Sequence, residues 1–368
     1  MKLDFSLCEY YLKMAPHHWE MAQSALDFIY MDSAANSLLH QIQQAFFDYR
    51  NPRSAVYECR CLFQYINTFA PQYKDAVFSA VFAVSLPKLL VNLRAECPDE
   101  NILQDTLLDY SLWAKEYEAD TGREGIGNYQ WLAILFSQKI YRLGRLQYEQ
   151  SVFENPFYVF QEQNTGKLYV IPCGGIPVFE GGKPGPVKPD QEAQFVTALS
   201  RKGNTISGHL VDTDTAVILL ECQELNLETL NLLLAPGMPV LNIHIPRSGP
   251  LEQEQVDASL SQAVDFFHNR DYPVKLAICE SWLLDPAVFQ YAANSEKICS
   301  FQRRFSKYPL AKSCSDAQFR IFGKCFENTP VQELPTKTSL QRGFKSYLLN
   351  GGRALNTGGI LLLNSADL

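Results

Sequence analysis

No Cys-x-x-Cys pair occurs among the ten cysteines of this chain, which removes the usual zinc ribbon and the dithiol redox motif. Cys59 and Cys61 are too close together for a zinc knuckle and have no second pair. His17 and His18 lack a third ligand at metal spacing and read as surface residues, so no metal is expected. No Gly-x-Ser-x-Gly elbow surrounds Ser281, which leaves a serine hydrolase without its nucleophile turn. The longest apolar run, Val77 to Val91, is interrupted by Ser79, Ser85, Pro87 and Lys88; a membrane span needs ~20 apolar residues. The first residues form no apolar leader, so the chain is read as cytoplasmic with reduced thiols. Positive charge is also lacking. At a net charge of −8, with no Lys/Arg cluster interleaved with aromatics, neither nucleic acid nor membrane is an expected partner. No internal repeat is visible, and strand-like alternation is scarce before residue 150.

What is present is enough for two domains. The chain has 368 residues, and domains run to roughly 100–200. Helical spacing of apolar residues marks Trp19 to Phe28, Asp75 to Leu86 and Asp105 to Tyr117. Pro87 either kinks the second of these or begins a new helix. Leu132, Phe136, Ile140 and Leu143 predict a long helix ending near Gln150, with Arg142 and Arg145 on it beside Gly144. The pattern changes after Phe153. Pro156 to Phe160 and Lys167 to Ile171 predict a hairpin, as do Phe195 to Leu199 and Thr205 to Leu210. Pro172 to Pro189 reads as loop, Leu225 to Leu234 as helix, and Gln318 to Phe322 as strand. Leu340 to Leu349 reads as a helix closed by Gly351 and Gly352, and Gly359 to Leu363 as a last strand. The expected class is α+β: an all-helical domain over residues 1–152, then an α/β domain with a mixed sheet over 153–368.

The second domain is organised around Val240 to Pro250. Leu241, Ile243 and Ile245 alternate with Asn242 and His244 as in a strand, and Pro246 stops it. Arg247, Ser248, Gly249 and Pro250 make a loop, and Val256 to Phe267 recur at helical spacing. A second strand, Val274 to Cys279, runs into Glu280, Ser281 and Trp282, and Pro286 starts another helix. Such units place chemistry where strand ends meet the next element. His244 is either a general base or a hydrogen-bonded core histidine, and Glu280 either a base of raised pKa or a solvated carboxylate. Asp285 reads as a helix N-cap and Trp282 as core. Arg142 either makes a structural ion pair or binds an anionic substrate.

Leu241-Asn-Ile-His-Ile-Pro246, Cys279-Glu-Ser-Trp-Leu-Leu-Asp-Pro286 and Tyr141-Arg-Leu-Gly-Arg-Leu-Gln-Tyr-Glu149 resemble a family of bacterial acyltransferase-like proteins. Its members pair a helical N-terminal acyltransferase domain with a GNAT-like C-terminal domain. The resemblance implies transfer of an acyl group from a coenzyme A thioester to an amine or hydroxyl of a small-molecule acceptor. It implies that Arg247, Ser248 and Gly249 hold the pyrophosphate of acyl-coenzyme A, and that Glu280 or His244 is the base. Tyr291 falls where such enzymes keep a tyrosine that protonates the leaving thiolate. The usual Gly-x-Gly/Ala phosphate loop is absent, Pro250 removes one N–H donor, and Glu252 and Glu254 bring negative charge. These departures favour an alternative: a GNAT fold that has lost catalysis and binds a small molecule or a protein.

Overall fold

A computed structural model describes residues 2–137, 139–185, 192–270, 272, 275–311, 316–323, 326 and 328–363. Cys314, Cys325, Val274 and part of the Pro172–Pro189 loop lie outside these residues. The chain folds as two compact units, Met1–Glu149 with Ile245–Gly249, and Gln150–His244 with Pro250–Leu368.

The first unit begins with helices α1 (Phe5–Leu12), α2 (Pro16–Met31), α3 (Ser33–Phe47) and α4 (Pro52–Phe69). Asp32 and Asn51 cap α3 and α4 by accepting from the N–H of Ala35 and Ser54. Then come α5 (Val77–Glu96), α6 (Glu100–Leu107), α7 (Asp109–Thr121) and α8 (Tyr129–Ser137). α5 continues through Pro87. It is long and apolar enough to cross a membrane, yet two thirds of its most apolar stretch is buried in the unit, where α2 packs on it. The helix expected over Asp105 to Tyr117 is broken at Leu108, the junction of α6 and α7.

The long helix expected to end near Gln150 does not form. α8 stops at Ser137, and a hairpin follows, β1 (Ile140–Leu143) and β2 (Leu146–Val152). Leu143 faces Leu146 across a two-residue turn, and Gly144 at its first position has φ +65°. Glycine there meets the demand of a type II′ turn. The apolar residues that match a helical stripe are instead shared between the end of one helix and two short strands.

His18, expected at the surface, is buried. Its Nε2 lies 2.9 Å from the Tyr110 hydroxyl, and its Nδ1 3.7 Å from Glu124. Burial, with His17 adding to it, lowers the His18 pKa to about 4 against the opposing pull of Glu124. The folded imidazole stays neutral where the unfolded one has taken a proton. Stability from this site is therefore complete above pH 6.5 and is lost as pH falls from 6.5 towards 4, by about 3 kcal/mol at most. Urea midpoints measured across this window should fall more steeply for the wild type than for His18→Gln, which keeps a hydrogen-bonding group but does not titrate. Parallel curves would remove His18 as the cause.

The second unit carries the strand-rich part. β3 (Phe157–Glu162) and β4 (Leu168–Pro172) form the expected hairpin, and β11 (Leu230–Leu234) joins the free edge of β3. β5 (Pro177–Phe179) pairs with β6 (Lys183–Pro184) and β7 (Phe195–Val196). β8 (Leu199–Lys202), β9 (Thr205–Asp212) and β10 (Val217–Asn226) make another antiparallel sheet. The helix expected over Leu225 to Leu234 is absent. The Asn226 side chain accepts from the N–H of Glu228 and starts a single 3₁₀ turn between β10 and β11. Each of these strands is claimed by a neighbour, so pairing overrides the leucine-rich pattern.

The main sheet of this unit contains β12 (Pro239–His244), β13 (Leu276–Ser281), β15 (Thr357–Leu362) and β14 (Ser306–Pro309), in that order. It is mixed: β12 and β13 are parallel, and β15 is antiparallel to both of its neighbours. α9 (Gln253–His268) links the parallel strands, and α10 (Val288–Tyr291) and α11 (Glu296–Arg303) follow β13. The stretch Gln318 to Phe322, expected as a strand, lies in a helix, α12 (Ala317–Phe322), which buries Ala317 and Phe322 and ends at Gly323, φ +98°. α13 (Ser339–Leu349) starts with a capping box of Thr338 and Gln341.

Candidate functional site

β12 and β13 bring the central segment together. Val240, Leu241 and Ile243 are buried, as are Leu276 to Cys279. Among the described residues their parallel ladder registers Leu241 with Ala277 and Asn242 with Ile278. β12 runs on to His244 and β13 to Ser281, so the ladder ends before either strand does. On its other edge β13 stays paired with β15 through Cys279, Glu280 and Ser281. In open α/β sheets ligands bind at the carboxyl ends of parallel strands, the end at which His244 and Ser281 stand.

Glu280 lies inside β13, not after it, and its side chain is exposed. Asn155 donates to its Oε1 through Nδ2 at 2.7 Å, and the same nitrogen is 3.4 Å from the Tyr308 hydroxyl. Gly358 stands opposite Glu280 on one side and Tyr308 on the other. A Cβ on Gly358 would come within 2.2 Å of the Tyr308 ring, so glycine makes the room that ring occupies. Burial, with Glu280 and Cys279 alongside, pushes the Tyr308 phenol well above its ordinary pKa and keeps its proton on. Sequence reasoning missed both Asn155 and Tyr308. Tyr308 comes from the short β14, and Asn155 reaches it across a long sequence separation.

The remaining residues are placed as follows. Ser281 accepts from the N–H of Leu283 and opens a 3₁₀ turn. Asp285 accepts from the N–H groups of Ala287 at 3.0 Å and Leu355 at 2.6 Å. Its burial raises its pKa against those bonds and against Lys183. Trp282 packs at the margin of a cluster containing Tyr291, Phe322 and Phe344. Tyr291 is buried, 4.9 Å from the Phe344 ring and 5.2 Å from that of Tyr347. Its hydroxyl meets no hydrogen-bond partner among the described residues, and burial near Asp285 and Tyr347 raises its pKa. Tyr291 and Tyr308 thus belong to different clusters. His244 ends β12, half-buried.

The loop after β12 belongs to the first unit. There Arg247 pairs with Glu116. Arg142 donates through Nη2 to Ser248 Oγ at 2.6 Å. Arg145 donates to Pro246 O at 3.1 Å and to Gly249 O at 2.8 Å. Sequence analysis set Arg142 and Arg145 on a helix; Arg142 lies in β1 and Arg145 is the second residue of the β1–β2 turn, whose signal was Gly144. Among the described residues no group of three His, Cys, Asp or Glu side chains is arranged to hold a metal.

The family described as GNAT-like C-terminal domain matches residues 140–361. The chain belongs to this family. The GNAT-like match begins at the β1–β2 hairpin and takes in every strand named above except the last residue of β15, Leu362. No curated protein matches the sequence. Among solved structures, an acyltransferase in complex with decanoyl-CoA and teicoplanin is similar at a TM-score of 0.62 and 18% identity, over 98% of this chain and 87% of that one. A mutant acyltransferase in complex with octanoyl-CoA is similar at a TM-score of 0.62 and 17% identity, with the same coverage of 98% and 87%. An acyltransferase in complex with CoA and 10C-teicoplanin is similar at 0.53 and 15%, over 99% of this chain and 100% of that one. At these identities the likeness is one of fold, and it spans the helical unit as well as the GNAT-like part.

Proposed function

We propose that this chain moves an acyl group from an acyl-coenzyme A thioester to an amine or hydroxyl of a small-molecule acceptor. The observation that carries this reading is the short parallel ladder of β12 and β13, with Glu280 beyond its end. The similar folds crystallised with acyl-CoA, and one with teicoplanin as well, support the donor and the class of acceptor. Acyl-coenzyme A, when bound, supplies an activated acyl carbon. This chain's residues suit it: Arg142 has a buried Nη1 with no hydrogen-bond partner among the described residues, beside the loop that carries Ser248. Arg247, Ser248 and Gly249 are assigned to its phosphates. Glu280, oriented by Asn155, takes the proton from the acceptor, with His244 as the alternative base. Tyr291 keeps its proton at neutral pH because burial disfavours the phenolate, which fits a proton donor. The work of the protein is then positioning and proton removal.

Thermal melts with and without donor test this. A donor that binds only the folded state at 100 times its dissociation constant adds about 2.7 kcal/mol, so decanoyl-CoA or octanoyl-CoA should raise the melting temperature by several degrees. No shift with any acyl-CoA at millimolar concentration would sink the transferase reading in favour of a catalytically degenerate binding module.

A further inference from the structure

We propose that Arg142, with Arg145 behind it, forms a seat for a phosphoryl oxyanion on the β1–β2 hairpin, built from side chains where the loop after β12 lacks a run of glycines. The inference rests on the reading above and deepens it by naming the side chains that take the phosphate.

Three guanidinium groups gather at Ile245–Gly249, and they are not equivalent. Arg247 is paired with Glu116. Arg145 is buried and grips the loop by the carbonyls of Pro246 and Gly249. Arg142 spends Nε on Gly144 O and Nη2 on Ser248 Oγ, while its Nη1 is buried without a partner among the described residues. A charged donor withdrawn from water with nothing to bond is costly. The neighbouring positive charge adds to that cost: burial, then Arg142, lowers the Arg145 pKa to about 10. An oxyanion relieves both penalties. It accepts from Nη1, and it places negative charge between two like charges. A planar guanidinium suits a phosphoryl group, since its N–H donors match two oxygens. Gly249, at φ +74° with no atom within 4 Å of where a Cβ would stand, leaves the loop open on that side.

The test is calorimetric titration of the full chain with inorganic pyrophosphate, with coenzyme A and with pantetheine, which lacks phosphate. Arg142→Gln should weaken pyrophosphate and coenzyme A binding by about tenfold or more and leave pantetheine binding unchanged. Arg142→Lys should fall between it and the wild type, having charge without the fork. Should Arg142→Gln not fold, Arg142→Lys alone decides, because equal pyrophosphate affinity in it and the wild type overturns the seat. So does pyrophosphate binding unchanged in Arg142→Gln, or no pyrophosphate binding by the wild type. Wild-type binding of pyrophosphate through Arg142, without coenzyme A binding, would keep the seat and reject the coenzyme A donor.

Discussion

Glu280→Gln lowers the turnover of acyl transfer by roughly a hundred- to ten-thousand-fold. The substitution keeps the size of the side chain and its bond to Asn155, and removes only the ability to hold a proton. Because Glu280 is exposed on β13, the melting temperature should stay put. Coenzyme A affinity should also hold, since the phosphates are assigned to the other segment. The measurement is kcat at saturating acyl donor and acceptor for the wild type and the variant. Turnover within threefold of the wild type would remove Glu280 as the base and transfer the role to His244, to be checked with His244→Ala.

Gly358→Ala is expected to damage the fold and the site together. The added carbon would lie 2.2, 2.3 and 2.7 Å from three atoms of the Tyr308 ring. That ring is fully buried, 5.4 Å from Phe157 and 6.0 Å from Phe153, so it cannot swing aside. Overpacking of this kind costs about 1–3 kcal/mol or more. Any relaxation must move β14 or β15, and with them the hydroxyl that shares Asn155 with Glu280. A loss of 5 °C or more in melting temperature is expected for a shift of about 2 kcal/mol, with a matching loss of turnover. Gly358→Ala combined with Tyr308→Leu, which empties the contested space, should recover stability but not turnover. If the single variant melts like the wild type, Gly358 is not what admits the ring.

The central unit was readable because its signals are local. Alternation from Leu241 to Ile245, the stop at Pro246 and the helical spacing from Val256 to Phe267 each depend on a few adjacent residues, and β12 and α9 follow them. The helical first part was readable for the same reason, while the GNAT-like class was implied by the resemblance of 241–246, 279–286 and 141–149 to a known family. The failures share a cause as well. Ile140 and Leu143 continue a helical stripe by coincidence, while the Gly144 turn decides the outcome. Leu230 to Leu234 become strand because β3 has a free edge for them. Asn155, Tyr308 and Gly358 meet Glu280 only through sheet register and distant side chains, which no local pattern encodes. Arg142 and Arg145 were noticed, but their partners Ser248 and Pro246 lie a hundred residues away.

The helical unit is not one continuous piece of polypeptide. It recruits Ile245–Gly249 from the middle of the sequence and then releases the chain. A gene fragment ending near residue 152 would encode Glu116, Arg142 and Arg145 without the oxygens and the arginine that satisfy them. Anyone swapping modules between relatives must therefore transplant the five-residue insert along with the amino-terminal half, because neither segment is self-sufficient in its hydrogen bonding.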